Sequence, residues 1–336
     1  MHENPIARRS LLRTAAAGAA ALPLAATAAT AAAPQAVAAE AAPGTTGAPG
    51  TGAPDTGAAS HGDTAFRWLG TAGWRIESAG KNVLFDPYIT RFDTGLFKPP
   101  FNSATPLTVD GDLVDRHAGT PDLILVSHSH WDHINDVPHL AARSSAQVIG
   151  TATTCHLLRA MGVPASRLVV VKGGEVLDFG YCTVEVVASL HSRNAEHRYF
   201  APGTLTAPPA AAPATIADLP EGDTLAFRIR FGDGPSAFLM GASDFVARNL
   251  AGLRPDVAMV AVQSSTATHT YVERLLTALD GPRTVVPVHW DNFETPLAEP
   301  AVRDPGADLD GFLARVRRHS PGTRLVVPEH LAPLRF

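Results

Sequence analysis

Residues 124–133 join an apolar run to a dense cluster of polar side chains, and this junction constrains the fold more than any other feature. The run Ile-Leu-Val has the character of a buried strand, and Ser-His-Ser-His-Trp-Asp-His follows it directly. Three imidazoles and a carboxylate within six residues are costly to desolvate unless something binds them. We therefore expect a turn at a strand end that presents an H-x-H-x-D-H motif, made of His128, His130, Asp132 and His133.

The spacing of this motif divides its members between two directions. His128 and His130 are two residues apart, so on an extended segment their side chains point the same way. Asp132 and His133 follow the bend and point at a different place, as a pair of metal ions would require. The alternative is a polar loop with surface histidines. Further residues of metal-ligand type downstream make this alternative less favoured.

Three later positions repeat the placement of a metal-ligand side chain at the end of a β-type run, two of them directly after the run and Asp244 after the turn Gly-Ala-Ser. The runs are 182–190, 237–240 and 284–288, and the residues that follow them are His191, Asp244 and His289. Zinc, manganese and iron all accept imidazole and carboxylate, and catalytic sites keep one position open for water. A single histidine at a strand end is usually structural, but together with the motif these residues predict a metal centre.

These residues resemble the ligand set of the metallo-β-lactamase-fold hydrolase superfamily, over roughly residues 64–336. The resemblance implies one metal ion on His128, His130 and His191, and a second on Asp132, His133 and His289. It also implies that Asp244 bridges the two ions and that Asp132 has the catalytic role of orienting the nucleophile. The runs 68–77 and 83–88 resemble the opening hairpin of the branch that contains ascorbate-6-phosphate lactonases and N-acyl-phosphatidylethanolamine phospholipases.

Two departures narrow the implied chemistry. True zinc β-lactamases use a cysteine at the second metal or lack the bridging aspartate, whereas Cys155 and Cys182 stand at no strand-end ligand position. β-Lactam hydrolysis is therefore not expected. The superfamily's mononuclear-iron persulfide dioxygenases keep fewer ligands for a second ion, so the complete set favours a dinuclear hydrolase. The two cysteines could form a disulfide or remain buried thiols.

The distribution of apolar runs predicts an α/β protein. β-Type runs occupy 65–69, 73–77, 82–86, 122–127, 146–150, 168–171, 182–188, 225–231, 236–240, 257–262, 284–288 and 324–327. Helical patterns lie near 153–161, 269–279 and 308–319. Two strand-rich halves, each followed by helices, fit a four-layer αβ/βα sandwich with loops along one edge.

The N-terminal 63 residues have a different character from the rest. Residues 1–38 resemble a twin-arginine signal peptide, with Arg8-Arg9 before an alanine-rich segment and a small-x-small site at 36–38. A membrane anchor is disfavoured because the segment is weakly apolar and contains Pro23. Residues 39–63 form an Ala/Pro/Gly linker without enough apolar surface to order itself, which leaves 64–336 as one hydrolase domain.

The N-terminal signal predicts secretion, with the twin-arginine export machinery as a partner and no stable membrane anchor. The formal net charge is −5, of which the first 38 residues contribute +2, so the remainder carries −7. No basic stripe with interleaved aromatic residues is present, so we do not expect a nucleic-acid partner. The expected partner of the site is a small-molecule substrate.

Several segments near the ligands have two interpretations each. The Phe- and Pro-bearing segment 89–107 is either a pocket wall or a solvated loop, and 201–220 is favoured as a mobile spacer. Trp131, Trp290 and Phe293 either line the pocket or pack in the core. His197 and His269 are the remaining histidines that lie close in sequence to elements at the expected site edge.

The predicted function is metal-assisted hydrolysis of an ester, lactone or phosphodiester by an exported enzyme with two divalent ions, zinc being favoured over manganese or iron. Two alternatives remain. The first is sulfur oxidation at a single iron, and the second is a non-catalytic, exported metal- or ligand-binding protein. A Ser-His-Asp mechanism is set aside because the chain has no G-x-S-x-G elbow.

Overall fold

The computed structural model describes residues 64–298 and 300–336 of the chain. The predicted signal peptide and linker lie outside these residues, so both stay predictions. In this part of the chain, every helix is too short or too polar to cross a bilayer.

Fourteen strands form two seven-stranded sheets in the described residues. In sheet order, the first contains β14 (Pro333–Leu334), β1 (Ala65–Trp68), β2 (Trp74–Ser78), β3 (Lys81–Phe85), β4 (Leu123–Leu125), β5 (Gln147–Gly150) and β6 (Leu168–Val170). The second contains β13 (Arg324–Leu325), β12 (Thr284–Val288), β11 (Val257–Ala261), β10 (Ser236–Met240), β9 (Leu225–Arg230), β8 (Thr183–Ala188) and β7 (Val176–Asp178).

Each sheet is mixed, since a parallel part continues into antiparallel hairpins. Strands β3 to β6 are parallel in the first sheet, and β10 to β13 are parallel in the second. All twelve predicted strand runs correspond to observed strands. The two strands that the apolar pattern missed, β7 and β14, are only three and two residues long and only partly buried.

Seven α-helices connect the strands in the described residues. They are α1 (Gly111–Ala118), α2 (Trp131–Ile134), α3 (Val137–Ala142), α4 (Ala152–Ala160), α5 (Ala247–Leu250), α6 (Tyr271–Ala278) and α7 (Leu309–His319). The three predicted helices correspond to α4, α6 and α7. Helices α2, α3 and α5 have at most six residues, too few for an apolar stripe of helical period to stand out. Helix α1 is as long as α6, but its apolar residues are only Leu113, Val114 and Ala118.

The side chains of the strands alternate between two layers of core. In β3, Val83 and Phe85 pack between the sheets, whereas Leu84 lies in a second cluster with the helices outside the first sheet. This alternation follows from the strand period of two. On the far side, α6 and α7 contribute Leu275 and Phe312 to the cluster of the second sheet. The predicted αβ/βα sandwich is therefore confirmed.

The segment 201–220 is packed at its C-terminal end, which departs there from the expectation of a mobile spacer, whereas most of residues 202–212 are exposed. Ile216 and Leu219 are buried in the cluster outside the first sheet. The segment also pairs with 89–107, because the N–H of Leu107 donates to the carbonyl of Ala214 and that of Ile216 to Thr105. The two loops therefore form one layer over the sheet edge, which their proline content did not reveal.

Candidate metal centre

The H-x-H-x-D-H motif occupies the turn between β4 and α2. His130 has extended backbone angles and precedes the first residue of α2, so His128 and His130 lie on extended chain while Asp132 and His133 lie in the first helical turn. All four side chains are buried. The change from extended to helical backbone sends the two pairs in different directions, as the spacing of the motif predicts.

The first group of candidate ligands is a triangle of imidazoles from both sheets. His128 and His130 come from the end of β4, and His191 comes from the loop after β8. Their ring centroids are 4.7–4.9 Å apart in all three pairs. One nitrogen from each ring lies within 4.8 Å of the others, which is close enough to share a metal ion.

The second group lies directly beside the first and includes a carboxylate. Asp132 Oδ2 is 3.3 Å from His133 Nε2 and 3.2 Å from His289 Nε2. These separations match the roughly 3.3 Å between neighbouring ligand atoms of a tetrahedral site with metal–ligand bonds of about 2.0–2.1 Å. The His128 and His133 ring centroids are 3.9 Å apart, so the two groups form one site.

Asp244 lies at the same sheet edge but outside both groups. Its backbone forms an isolated β-bridge with Leu190, one residue before His191. Its carboxylate accepts a hydrogen bond from the N–H of Phe245 and lies 3.6 Å from Nε of Arg193. The structure thus places Asp244 next to the candidate ligands, and its bridging role stays a prediction.

A buried carboxylate that the ligand pattern did not include, Asp86, orients the motif from behind. Its Oδ1 accepts the N–H of Ser127, and its Oδ2 accepts the Ser127 hydroxyl at 2.6 Å and Nδ1–H of His133 at 2.8 Å. Gly241 packs so closely that an added Cβ would lie 2.6 Å from Asp86 Oδ2. Asp86 directly follows β3, so the strand-end rule that identified the ligands could also have found it.

Similar contacts hold the Nδ1 side of two further rings, those of His128 and His191. His128 Nδ1 lies 3.0 Å from the Ser127 hydroxyl, and His191 Nδ1 donates to the carbonyl of Ser192 at 2.8 Å. A proton on Nδ1 leaves the Nε2 lone pair directed into the site. Partners of this kind fix the tautomer of metal-ligating histidines and raise their basicity as ligands.

His289 adopts a left-handed backbone conformation, with φ of 55°. This conformation is uncommon for residues other than glycine and is held here from two sides. The N–H of His289 donates to the carbonyl of Thr71, and its own carbonyl accepts the N–H of Gln263. Asp291 in turn accepts the N–H of Thr71 and pairs with the buried guanidinium of Arg91.

The electrostatics of the two groups differ. Burial lowers the pKa of His130 to about 4, and burial with the neighbouring imidazoles lowers the pKa values of His128 and His191 well below normal. For the second group, burial alone would disfavour charge, but Asp132 and Asp86 raise the pKa of His133 to about 10. The first group therefore keeps neutral imidazoles, the form that binds metal, and the second attracts positive charge.

The donor set fits a pair of metal ions. Nε2 of His128 and of His130 is buried without a hydrogen-bond partner, as is Nδ1 of His289. Unpaired buried polar atoms are rare because each loses its interactions with water. Bound cations account for this arrangement. Three neutral imidazole nitrogens converge in the first group, and beside them the carboxylate of Asp132 lies between two further imidazoles.

The site opens into a cavity of about 230 Å³. Trp131 and Phe293 line it, whereas Trp290 packs in the core against Trp68. Leu96, from the Phe- and Pro-bearing loop, also lines the cavity, which confirms that loop as part of its wall. The remaining lining residues are His128, His130, Asp132, His133, His191, Ser192, Arg193, Asn194, Phe200, Gly241, Gln263, Ser264 and His289.

The two additional candidate histidines do not line this cavity. The carbonyl of His197 accepts a hydrogen bond from Arg193, but its side chain does not line the cavity, and His269 is exposed. Sequence reasoning also missed Arg193 and Phe200, which do line it. No strand-end rule could have found them, because both belong to an irregular loop that only the fold brings over the site. Cys155 and Cys182 are both buried free thiols, so the disulfide interpretation is not realised.

The family model for the beta-lactamase superfamily domain matches residues 65–289, which include every candidate ligand. A "UPF0173 metal-dependent hydrolase" of Anaeromyxobacter sp. strain K is 26% identical over 276 residues, covering 79% of this chain and 87% of the relative. A protein of the same name from Methylocella silvestris is 30% identical over 125 residues, covering 37% of this chain and 47% of the relative. This second match and two similar ones thus span less than half of the relatives' length.

Solved structures share the fold at low sequence identity. The diiron β-hydroxylase CmlA of Streptomyces venezuelae has a TM-score of 0.53 and 17% identity, covering 81% of this chain and 54% of the hydroxylase. At this identity the likeness concerns the fold alone, because one scaffold hosts many chemistries.

Proposed function

Since the chain belongs to the beta-lactamase superfamily, we propose that it is a metal-dependent hydrolase whose centre holds two divalent ions. The observation that carries this proposal is the pair of adjacent ligand groups, His128/His130/His191 and Asp132/His133/His289. In this proposal Asp244 would contribute its carboxylate to both ions, and zinc would be the favoured metal, with manganese or iron also compatible with the ligands. The bond cleaved is an ester, lactone or phosphodiester.

Bound ions would supply a water of lowered pKa and would stabilise the negative charge that develops on the substrate. The chain's own residues hold this chemistry in place. Asp132 lies between His133 and His289, where a carboxylate orients the attacking water. Asp86 fixes the His133 ring through Nδ1. Trp131 and Phe293 restrict water access from one side of the cavity.

The test is metal content per chain, measured by mass spectrometry on protein purified without chelator or added metal. We expect close to two equivalents, and one equivalent fewer in each of His191→Ala and His289→Ala. His319→Ala, which removes an exposed histidine far from the site in sequence, is the matched control and should retain both ions. Asp244→Ala should lose most activity, since the bridge would be absent.

Other outcomes of this measurement would replace the proposal. One equivalent of iron per chain, with oxidation of sulfur substrates, would establish the mononuclear alternative. Tightly held metal without turnover of esters, lactones or phosphodiesters would indicate that the chain is a non-catalytic metal- or ligand-binding protein. Full activity and metal content in Asp244→Ala would contradict the bridged centre.

We also propose export through the twin-arginine route, on the basis of the Arg8-Arg9 pair, which lies outside the described residues. Twin-arginine substrates cross the membrane folded, which would let the protein acquire its metals beforehand. Replacing both arginines by lysine should retain the protein inside the producing cell. Unchanged secretion of that variant would contradict the route.

A further inference from the structure

The cavity over the candidate ligands has two chemically unlike walls. One wall is apolar and consists of Leu96, Trp131, Phe200 and Phe293. The other lining residues outside the candidate ligands are mostly polar and include Ser192, Arg193, Asn194, Gln263 and Ser264, which we call the polar wall. A ligand has to be apolar where it meets the first wall, because polar groups there would lose their hydrogen bonds with water.

The apolar wall runs without interruption from the ligands to the surface. Next to the ligands, the Phe200 ring lies 5.4 Å from that of His130, and the Trp131 ring lies 5.7 Å from Phe200. Farther out, the Phe101 ring lies 5.8 Å from Phe200 in an edge-to-face contact. We call Trp131, Phe293, Phe200, Phe101 and Leu96 the aromatic wall.

The outer part of the aromatic wall is not explained by core packing. Trp131 and Phe293 belong to the cluster outside the first sheet, but Phe101 and Phe200 belong to neither core cluster of the described residues. Phe101, Phe200 and Leu96 are 38%, 39% and 38% exposed. Large apolar side chains grouped at the mouth of a cavity mark a binding surface, whereas isolated ones need no explanation.

The polar wall contains a cationic side chain that neighbouring residues hold in place. Arg193 is the one Lys or Arg side chain among the described residues that line the cavity. Its guanidinium lies 3.6 Å from the Asp244 carboxylate, donates to the Tyr199 hydroxyl and to the carbonyl of His197, and stacks on the Tyr199 ring. These contacts hold the guanidinium in place, and two of its five N–H groups donate to protein oxygens.

We propose that the aromatic wall is a subsite for an apolar acyl or aryl group attached to the scissile bond. The substrates are carboxylic esters or lactones that carry such a group, in preference to compounds whose acyl group is small and polar. This inference rests on the proposed hydrolytic function and specifies its substrate class. An extended chain covers roughly 1.2 Å per bond, so an alkyl group of about eight carbons would reach from His130 to Phe101.

The test uses the metal-loaded protein and 4-nitrophenyl esters from acetate to dodecanoate. Each methylene added along the wall should raise kcat/KM by about two- to fourfold, and the increase should stop near eight carbons. Phe200→Ala should reduce the ratio of octanoate to acetate kcat/KM at least tenfold. Val176→Ala, which truncates an exposed apolar side chain on β7, is the control and should leave the ratio unchanged.

A second readout does not depend on turnover. Binding of 1-octanol, measured by calorimetry on metal-loaded protein, should be detectable in the wild type and at least tenfold weaker in Phe200→Ala. Octanol binding of this kind without ester hydrolysis would leave the subsite intact and refute the hydrolase.

Three results would refute the subsite while hydrolysis stands. The first is a set of rates independent of chain length, and the second is a chain-length dependence that persists in Phe200→Ala. The third is faster cleavage of the acetate ester than of the octanoate ester, because that would show a preference for a small acyl group.

Discussion

Asp86 lies outside the proposed ligand set, yet its carboxylate contacts both ends of the segment that carries the motif. It accepts hydrogen bonds from Ser127 and from Nδ1–H of His133, and it is fully buried. A carboxylate in this position orients the ring and makes Nε2 a better ligand. The same interaction fixes the turn after β4, so one side chain serves both the local fold and the site.

Replacing Asp86 by Ala should therefore weaken binding of the second ion by about 10–100-fold while the first ion is retained. Competition with a fluorescent chelator measures both affinities. Asp115→Ala, which removes a partly exposed carboxylate paired with His139 and Arg143, is the control and should change neither affinity. Equal loss of both ions in Asp86→Ala, or no loss, would contradict this role.

Glu221 carries an acid group that titrates near neutral pH. Burial raises the pKa of its carboxyl to about 7, although a hydrogen bond from the Thr224 hydroxyl opposes the shift. Its carbonyl accepts the N–H of Ser129, inside the metal motif. A raised folded-state pKa means that the native protein keeps a proton that the unfolded chain has already lost.

Stability should therefore fall as the pH rises from about 4.5, where the unfolded carboxyl titrates, to about 7. Glu221→Gln has no such titration, so its stability should change less over this interval. Urea unfolding at several pH values measures the difference between the two proteins. Parallel curves for both proteins would show that Glu221 does not contribute.

At the scale of elements, a single carboxylate joins the loop after His289 to the loop that carries Leu96. Glu294 accepts the N–H groups of Thr94, Leu96 and Phe97, as well as the Thr94 hydroxyl. Phe97 also packs edge-to-face on Phe293, at 5.0 Å. These contacts convert an irregular, proline-bearing segment into a fixed wall of the cavity.

Glu294→Ala should release this loop without unfolding the sheets. We expect hydrogen exchange of the Thr94, Leu96 and Phe97 amides to accelerate by tenfold or more, since hydrogen bonds to charged groups contribute about 1.5–3 kcal/mol. Mass spectrometry of peptides that cover 93–98 measures this exchange. Glu175→Ala removes a similar carboxylate from a turn at 172–173 and should leave these amides protected.

At the scale of the whole molecule, the two sheets share one core, and the candidate ligands come from both. Phe85 on β3 and Phe227 on β9 meet edge-to-face across the interface, with ring centroids 6.1 Å apart. Both side chains are buried. Their contact lies in the core between the two sheets. This core holds the ends of β4 and β8 at a fixed distance from each other.

Truncation of this contact should weaken the whole domain. Phe227→Ala should lower the free energy of unfolding by about 3–5 kcal/mol, because it removes apolar contacts and leaves a cavity. Chemical denaturation measures the loss. Val170→Ala, at an exposed position on β6, should change stability by less than about 0.5 kcal/mol. A small effect at Phe227 would show that the sheets do not depend on this contact.

Metal removal should act at the same scale, because one group of ligands joins residues from β4 and β8 and the other joins residues from α2 and β12. An ion that binds only the folded state adds about 2.7 kcal/mol of stability at a concentration 100 times its Kd. Dialysis against a chelator should therefore lower Tm, and added zinc should restore it. A Tm that is independent of metal would contradict binding between the two halves.

The sequence by itself determined the α/β class, twelve of the fourteen strands and the segments from which the candidate ligands come. Apolar runs of strand length and the polar residues that end them are local features, so they can be read without the fold. Short elements such as β7 and α2 were not evident, since two to four residues cannot establish a period. Asp86 directly follows β3, so the same pattern of polar residues at strand ends could have identified it as part of the site.

Only the tertiary structure decided how these segments meet. The packing of β4 in one sheet against β8 in the other brings His128 and His191 within one group, although 63 positions separate them in the chain. The same packing brings Phe200 and Arg193, from an irregular loop, into the lining of the cavity. Contacts between residues distant in the chain depend on sheet order and loop packing, which no local pattern encodes.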